Sequence, residues 1–176
     1  LQKIDYTNEY ILFSPSPVAY RLFATNFSYH ISKTKLPGIL WQQFELPSLA
    51  KKHKIDVCWG TEQTIFLRRP KGICKILTVH DFVYRRFPKT MERSVRTITQ
   101  YYGTRSLSKS DILLCISNFT ARELKKFYPS IPKQKLRIIP NGISSQNTIQ
   151  KPLPKEDFLF FTGSMEPRKN LPRLIQ

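Results

Sequence analysis

The residues most suited to chemistry lie near the C-terminal end of the sequence. An apolar run at residues 158–161 is followed by Gly163, and then by Pro167, Arg168 and Lys169. Glycine lets a backbone turn sharply, and proline suits the first turn of a helix because its missing N–H is not needed there. We therefore predict a strand, a turn and a helix that begins with two cations. With the positive end of the helix dipole, those cations can hold a phosphate or a diphosphate; a turn whose cations face water is the alternative.

Polar residues also follow several apolar runs that predict strands. They are Gly60 and Thr61, His80 and Asp81, Ser117 and Asn118, and Asn141. Because ligands of open parallel sheets bind at the carboxyl ends of the strands, we expect these residues to share a cleft. His80 is the main candidate, since a neutral imidazole can both donate and accept a hydrogen bond. A lone histidine after a strand is more often structural, and Asp81 either contacts a ligand or orients the loop.

The apolar pattern predicts the elements that position these residues. Strands are predicted at residues 9–14, 56–61, 75–79, 111–116, 136–139 and 158–161, with one more within 19–24. Helices are predicted at residues 37–54, 88–107 and 117–128. Short continuous apolar strands separated by helices are typical of a parallel sheet. We therefore predict an α/β, Rossmann-like fold with helices on both faces of the sheet.

The two longer helices each carry apolar residues that are expected to face the core. These residues are Leu40, Trp41 and Phe44 in the first helix, and Met91, Val95, Ile98 and Tyr102 in the second. Pro47 interrupts the first pattern, so one kinked helix and two short helices both fit the sequence.

The composition indicates one domain and part of another. Residues 143–156 are polar and contain two prolines, which is typical of a linker. We therefore predict an N-terminal domain at residues 1–142 that lacks its first strand, the linker at 143–156, and the start of a second α/β domain at 157–176. No stretch approaches the ~18 apolar residues of a membrane span, and the first residues do not resemble a signal peptide.

The chain is strongly basic, with 29 Lys plus Arg against 12 Asp plus Glu and a formal net charge of +17. Such an excess indicates an anionic partner or a solvated basic face. The cations concentrate in two stretches: Arg85, Arg86, Lys89, Arg93 and Arg96; and Arg122, Lys125, Lys126, Lys133 and Lys135. The three cysteines, Cys58, Cys74 and Cys115, lack metal-ligand spacing, and we interpret them as free thiols.

Four strings in order carry a family resemblance. They are Gly-Ser-Met-Glu-Pro-Arg-Lys-Asn from Gly163, Thr-Val-His-Asp-Phe-Val-Tyr around His80, Ser-Asn-Phe-Thr-Ala-Arg-Glu-Leu from Ser117, and Leu-Arg-Ile-Ile-Pro-Asn-Gly-Ile from Leu136. Together they resemble the group 1 (family 4) retaining glycosyltransferases of the GT-B fold. The resemblance covers most of the chain from about residue 36 onward, as part of a longer family sequence.

The resemblance implies transfer of a sugar from a nucleotide diphosphate sugar to a hydroxyl of a carbohydrate or glycolipid acceptor. It implies a mannosyltransferase-like role in bacterial cell-surface polysaccharide or lipopolysaccharide synthesis, without a cofactor or an essential metal. His80 would lie beside the transferred sugar. Gly163, Ser164, Arg168 and Lys169 would hold the donor diphosphate. Many members carry Arg where this chain has Ser164, so Arg168 would have to supply the second cation.

The resemblance also implies that an acidic motif of the second domain lies beyond Gln176, so the 176 residues alone are expected to be inactive. We expect a cytoplasmic enzyme, with the basic stretches attaching it to the inner face of an anionic plasma membrane. A basic nucleic-acid-binding α/β module is an alternative motivated by the charge, but no nucleic-acid motif supports it. A non-catalytic phosphosugar-binding domain is the other alternative.

Overall fold

The computed structural model of the protein describes residues 1–142, 159–163 and 165–175. The strands are β1 Tyr10–Ser14, β2 Phe27–Ile31, β3 Val57–Gly60, β4 Cys74–Val79, β5 Ile112–Cys115 and β6 Leu136–Ile138. The α-helices are α1 Gly38–Leu40, α2 Leu46–Lys52, α3 Val83–Arg86, α4 Arg93–Ile98, α5 Thr104–Lys109, α6 Asn118–Phe127 and α7 Leu171–Ile175. Short 3₁₀ turns lie at Pro88–Thr90, Lys133–Lys135 and Pro167–Lys169.

Two π-helical segments join α-helices end to end. Trp41–Glu45 connects α1 to α2, and Thr99–Gly103 connects α4 to α5. We call the first composite (α1, π segment, α2) the first long helix and the second (α4, π segment, α5) the second long helix. Pro47 lies in the first turn of α2, directly after the wide π segment, so the first long helix continues through the proline.

All strand pairings are parallel. The main sheet has the order β3-β4-β5-β6, and β1 pairs with β2 in a separate two-stranded sheet. In the main sheet Ile76 lies opposite Ile112, and Leu113 lies opposite Leu136. The prediction of an α/β, Rossmann-like domain with a parallel sheet flanked by helices is confirmed.

The hydrophobic core lies on one face of the main sheet. Alternate residues of β4 and β5, including Leu77 and Leu113, are completely buried there. They pack in one cluster with residues of the long helices and of α6: Trp41, Leu46, Leu107, Ala121 and Leu124. The opposite face, which carries Trp59 of the edge strand, is more exposed. This core fixes the carboxyl ends of β3, β4 and β5 relative to one another.

Two strand predictions were wrong. Residues 19–24 form no strand, because the backbone N–H groups of Phe23 and Ala24 donate instead to the side-chain oxygen of Gln2. The strand that pairs with β1 is β2, three residues further on. Residues 159–161 also lack strand structure, while Phe158 and the predicted linker at 143–156 lie outside the described residues.

The predicted inward faces of the long helices were partly wrong. Leu40 and Phe44 are exposed, whereas Trp41 is buried. In the second long helix, Val95 and Ile98 are exposed, and the buried residues are Gly103, Ser106 and Leu107. No residue of α4 is buried, so the part of the second long helix that packs inward begins at Gly103, at the end of the π segment, and continues in α5.

A buried segment at residues 64–67 runs between the two long helices without joining the sheet. Gln43 contacts it from the first long helix, accepting from the Leu67 N–H at 2.9 Å and donating to the Ile65 carbonyl at 3.3 Å. Ser106 contacts it from the second, with its hydroxyl 3.0 Å from both the N–H and the carbonyl of Ile65. Side chains thus satisfy buried backbone groups that a neighbouring strand would otherwise pair.

Lys75, on β4, also contacts the segment at residues 64–67. Its side chain is completely buried, and its Nζ donates to the Phe66 carbonyl at 3.0 Å. Burial lowers the pKa of this amine from its ordinary value of 10.5. The burial of Lys75 is therefore explained by its structural role, which is to donate a hydrogen bond to a carbonyl inside the core.

Candidate active site

A pocket of about 440 Å³ opens where β3 and β4 end. We call it the His80 pocket. The residues that line it are Ile39, Glu62, Gln63, Thr64, His80, Asp81, Val83, Tyr84, Met91, Ile98 and Thr99. The long helices and α3 therefore form its walls, and the loops after β3 and β4 supply its polar groups. Of the predicted site residues, His80 and Asp81 line this pocket.

The ring of His80 has a defined hydrogen-bond polarity. Its Nε2 lies 2.7 Å from the carbonyl oxygen of Thr61. A carbonyl can only accept, so Nε2 must carry the proton in this contact. In the neutral ring Nδ1 is then an acceptor, suited to a hydroxyl that donates. Thr61 and His80 are therefore in contact, as predicted, and the atom of Thr61 that makes the contact is its backbone carbonyl oxygen.

Asp81 fixes the loop after β4. Its Oδ1 accepts from the Val83 N–H at 3.0 Å and so satisfies a free donor at the start of α3. Gln63 donates to the Asp81 carbonyl at 2.6 Å and reaches the same Oδ1 at 3.4 Å. Of the two interpretations of Asp81, these contacts favour orientation of the loop.

Ser117 contributes to the site through another residue. Its side-chain oxygen accepts from the Thr120 N–H at 3.0 Å and caps α6. The Thr120 hydroxyl contacts Ser117 Oγ and donates to the His80 carbonyl at 3.0 Å. Sequence reasoning missed Thr120, because nothing in the sequence indicates that its hydroxyl reaches the His80 carbonyl, 40 residues away.

The remaining predicted cleft residues do not line the pocket. Gly60 is needed for packing: a Cβ there would lie 3.1 Å from the Thr64 carbonyl oxygen and 3.2 Å from Ile65 Cβ. Asn118 is exposed at the start of α6, and Asn141 is exposed beyond β6.

Tyr84 is a pocket residue that the sequence did not single out. Its hydroxyl lies 2.9 Å from that of Tyr128, which lies 3.0 Å from the Thr104 hydroxyl. Burial, followed by the hydrogen bond to Tyr128, raises the pKa of Tyr84. The network joins the second long helix to α3 and to the end of α6, so it holds the pocket wall together.

The terminal turn has only part of the predicted backbone: the glycine turn is present, but the strand is not, and the left-handed Asn170 separates the two cations from α7. Gly163 has φ +142, a conformation that strains residues with a side chain. Pro167 begins the 3₁₀ turn that holds Arg168 and Lys169, and α7 follows at Leu171. Ser164 lies outside the described residues.

The two cations of the turn differ in their contacts. Arg168 donates to both carboxylate oxygens of Glu166, from Nε at 2.7 Å and from a terminal nitrogen at 3.0 Å. Lys169 is exposed and has no side-chain partner among the described residues. The fork of Arg168 is therefore already engaged with a carboxylate, whereas Lys169 presents its charge to solvent.

An electrostatic interaction connects the terminal turn with the His80 loop. The hydrogen bonds that Arg168 donates to Glu166 raise the pKa of Arg168 most, and the charges of Glu166 and Asp81 raise it further.

Several cations of the two predicted basic stretches are engaged within the protein. Arg86 forms an ion pair with the buried Glu123 at 2.9 Å and lies over the Phe119 ring. Arg96 donates to the Pro88 carbonyl, and Lys135 donates to the carbonyls of Ser108 and Ser110. These contacts leave less free charge on these surfaces than the sequence suggests. In the described part of the chain, no helix is both long and apolar enough to cross a membrane.

The three cysteines are free thiols. Burial raises the pKa of Cys58 to about 11 and that of Cys115 to about 11, so both thiols stay protonated and unreactive at neutral pH.

A pocket at the carboxyl ends of parallel strands is the usual ligand site of an open α/β sheet. The family model described as Glycosyltransferase Family 4 matches residues 10–147, and the chain belongs to this family. The matched region contains the His80 pocket and ends before the terminal turn. No curated protein matches the chain.

Proposed function

We propose that the protein is a retaining glycosyltransferase of the GT-B type that uses a nucleotide diphosphate sugar as donor. The observation that carries this proposal is the His80 pocket, inside the region that matches the glycosyltransferase family. The division into an N-terminal domain, a linker and the start of a donor domain belongs to the same proposal.

The proposed role of His80 follows from its ring polarity. With Nε2–H bound to the Thr61 carbonyl, Nδ1 accepts a hydrogen bond from a hydroxyl of the donor sugar. This contact orients the anomeric carbon. Asp81 keeps the loop in place through the N–H of Val83.

In the reaction, the bond between the anomeric carbon and the diphosphate oxygen breaks, and the acceptor hydroxyl oxygen bonds to that carbon. The hydroxyl proton passes to the leaving diphosphate. Lys169 stabilises the negative charge that develops on the diphosphate, an effect that grows as the bond breaks. Arg168 assists only after it exchanges Glu166 for a phosphate oxygen. In this proposal Gly163 provides the turn, and Ser164 also contributes to binding of the diphosphate.

We further propose that the acceptor is a carbohydrate or a glycolipid in bacterial cell-surface polysaccharide synthesis, and that the enzyme works in the cytoplasm at the membrane surface. The free cations of the basic stretches, such as Arg122 and Lys125, would supply the attraction to anionic lipid.

A panel of uridine and guanosine diphosphate sugars, incubated with the full-length protein, tests the donor class. We expect release of nucleoside diphosphate from at least one donor, and loss of most of this release in His80→Ala. Lys33→Ala is the control, because Lys33 is exposed and does not line the pocket. Absence of turnover with every donor and acceptor mixture, in a folded protein, would contradict the proposal.

A further inference from the structure

The lining of the His80 pocket differs in charge from the chain as a whole. The chain has a formal net charge of +17. Among the described residues, however, no Lys or Arg lines the pocket, whereas two carboxylates, those of Glu62 and Asp81, do. Arg168, which interacts with the charge of Asp81, also lies outside the lining. The pocket is therefore an acidic site on a basic protein.

The two carboxylates of the pocket differ in their contacts. Asp81 Oδ1 accepts from the Val83 N–H at 3.0 Å, so this carboxylate is already engaged within the protein. Glu62 is exposed, and its side chain has no hydrogen-bond or ion-pair partner among residues 1–142, 159–163 and 165–175. Its two acceptor oxygens are therefore available to a ligand.

The loop that carries Glu62 is held on both sides of this residue. The Thr61 carbonyl accepts from the His80 ring at 2.7 Å, and the Gln63 side chain donates to the Asp81 carbonyl at 2.6 Å. Because the neighbours of Glu62 are fixed in this way, binding of a ligand to its carboxylate requires little further ordering of the loop.

The remaining lining of the pocket suits a sugar ring. The long helices supply the apolar side chains of Ile39 and Ile98, and His80 supplies a ring nitrogen that can accept. A sugar has C–H surfaces as well as hydroxyl groups, so both kinds of lining have a partner on it. An ionised carboxylate only accepts hydrogen bonds, which suits a hydroxyl or an ammonium group, and it repels another carboxylate.

We infer that Glu62 selects the charge of the sugar in the His80 pocket: it accepts hydrogen bonds from an uncharged sugar or an amino sugar, and it repels a uronic acid. The inference rests on the proposed function in one respect, that the bound sugar is the transferred one. Selection by charge also disfavours a diphosphate in this pocket, which agrees with the proposed place of the diphosphate at the terminal turn.

Binding of methyl glycosides to the full-length protein without donor, titrated by saturation-transfer NMR, tests this inference. The probes are an amino hexoside, a neutral hexoside and a hexuronide, in both the gluco and the manno series, at a pH where the amine is protonated. Glu62→Gln keeps the shape of the side chain and removes its charge, and Glu62→Lys reverses the charge. Glu9→Gln and Glu9→Lys are the matched controls, because Glu9 is exposed and does not line the pocket.

For wild type we expect the neutral hexoside to bind about fivefold more tightly than the hexuronide, the effect of one charge at about 4 Å in water. The amino hexoside should bind at least as tightly as the neutral one. Glu62→Gln should reduce the fivefold difference to about twofold, and Glu62→Lys should make the hexuronide the tightest ligand. Added salt should also reduce the difference, because it screens exposed charges.

Equal binding of the three probes by wild type would overturn the inference, and so would the absence of binding by every probe. An unchanged order of affinities in Glu62→Lys, or changes of equal size in the Glu9 variants, would overturn it as well.

Turnover of the same sugars as nucleotide diphosphate conjugates distinguishes this inference from the proposed function. If neutral and acidic sugars are transferred equally well and His80→Ala is inactive, the role of Glu62 is wrong and the transferase assignment stands. If the methyl glycosides bind in the expected order but no conjugate releases nucleoside diphosphate, the transferase assignment is wrong and the charge selection by Glu62 stands.

Discussion

The His80 loop and the terminal turn differ in the contacts that fix their conformations. The His80 loop is fixed from outside: Thr61, Gln63 and Thr120, from other parts of the chain, bond to His80 or Asp81. The described contacts of the terminal turn are local, such as the pairing of Arg168 with Glu166 two residues away. The interaction with Asp81 is a long-range charge effect.

This difference indicates different roles for the two regions. A loop fixed by the rest of the fold can place a ring nitrogen accurately, as sugar positioning requires. A turn that depends on local contacts can present a charge and exchange partners when a diphosphate arrives.

His80 should dominate the transfer rate. In His80→Ala we expect a loss of about 10² in kcat, since both the sugar contact and its orientation disappear. His80→Asn should retain more activity than His80→Gln, because the asparagine oxygen can occupy the position of Nδ1. Steady-state kinetics with a saturating donor measures both differences. Equal activity of these two variants would remove the role assigned to Nδ1.

The cations of the terminal turn should contribute unequally. We expect Lys169→Ala to lower kcat/KM for the donor about tenfold or more, because it removes the available charge at the diphosphate. Arg168→Ala should have a smaller effect, since Glu166 already engages the guanidinium. Donor kinetics of both variants, with Lys33→Ala as control, measure this order. A larger loss in Arg168→Ala would reverse the assignment of the two cations.

Thr120 should act as a positioning residue for the His80 loop. Thr120→Val removes the hydroxyl that donates to the His80 carbonyl and keeps the side-chain shape. We expect kcat to fall several-fold, about 1 kcal/mol of lost hydrogen bonding, with donor KM nearly unchanged. Thr120→Ser should restore the rate. A parallel loss of thermal stability and activity that serine does not restore would indicate a purely structural role.

Lys75 should affect the free energy of unfolding and the pH dependence of that free energy. Its replacement should have little effect on the structure of the terminal turn. Since burial lowers the pKa of Lys75 below 10.5, the unfolded chain binds more protons between the folded value and 10.5. The free energy of unfolding therefore rises with pH through that window, on the order of 1 kcal/mol for each unit of pKa difference.

Lys75→Met removes this titration. Denaturant unfolding at several pH values up to 10.5 should therefore show wild type gaining stability relative to the variant as the pH rises. A stability difference independent of pH would contradict a lowered pKa at this position.

The sequence predicted the parts of the fold that depend on local signals. The strand predicted at residues 111–116 and the helix predicted at 117–128 correspond to β5 and α6 at nearly their observed bounds. The inward faces of the long helices were less predictable, because apolar periodicity does not show which turns of a helix the rest of the fold covers. Phe44 was therefore expected in the core, whereas it is exposed.

Contacts between distant residues explain the rest. The buried segment 64–67 depends on Gln43, Lys75 and Ser106, which are far apart in sequence and carry no shared motif. His80 and Asp81 were found from their position after a strand. Gln63 was not, because a glutamine in a loop gives no indication of the carbonyl that it contacts.

Binding of nucleoside diphosphate, the leaving group of the reaction, tests the central claim most directly. Calorimetric titration of uridine and guanosine diphosphate into the full-length protein compares wild type with Lys169→Ala and His80→Ala. We predict that Lys169→Ala weakens the tighter nucleotide about tenfold, whereas His80→Ala leaves its affinity nearly unchanged, because His80 contacts the sugar. Equal effects of the two variants, or no binding of either nucleotide by wild type, would contradict the account.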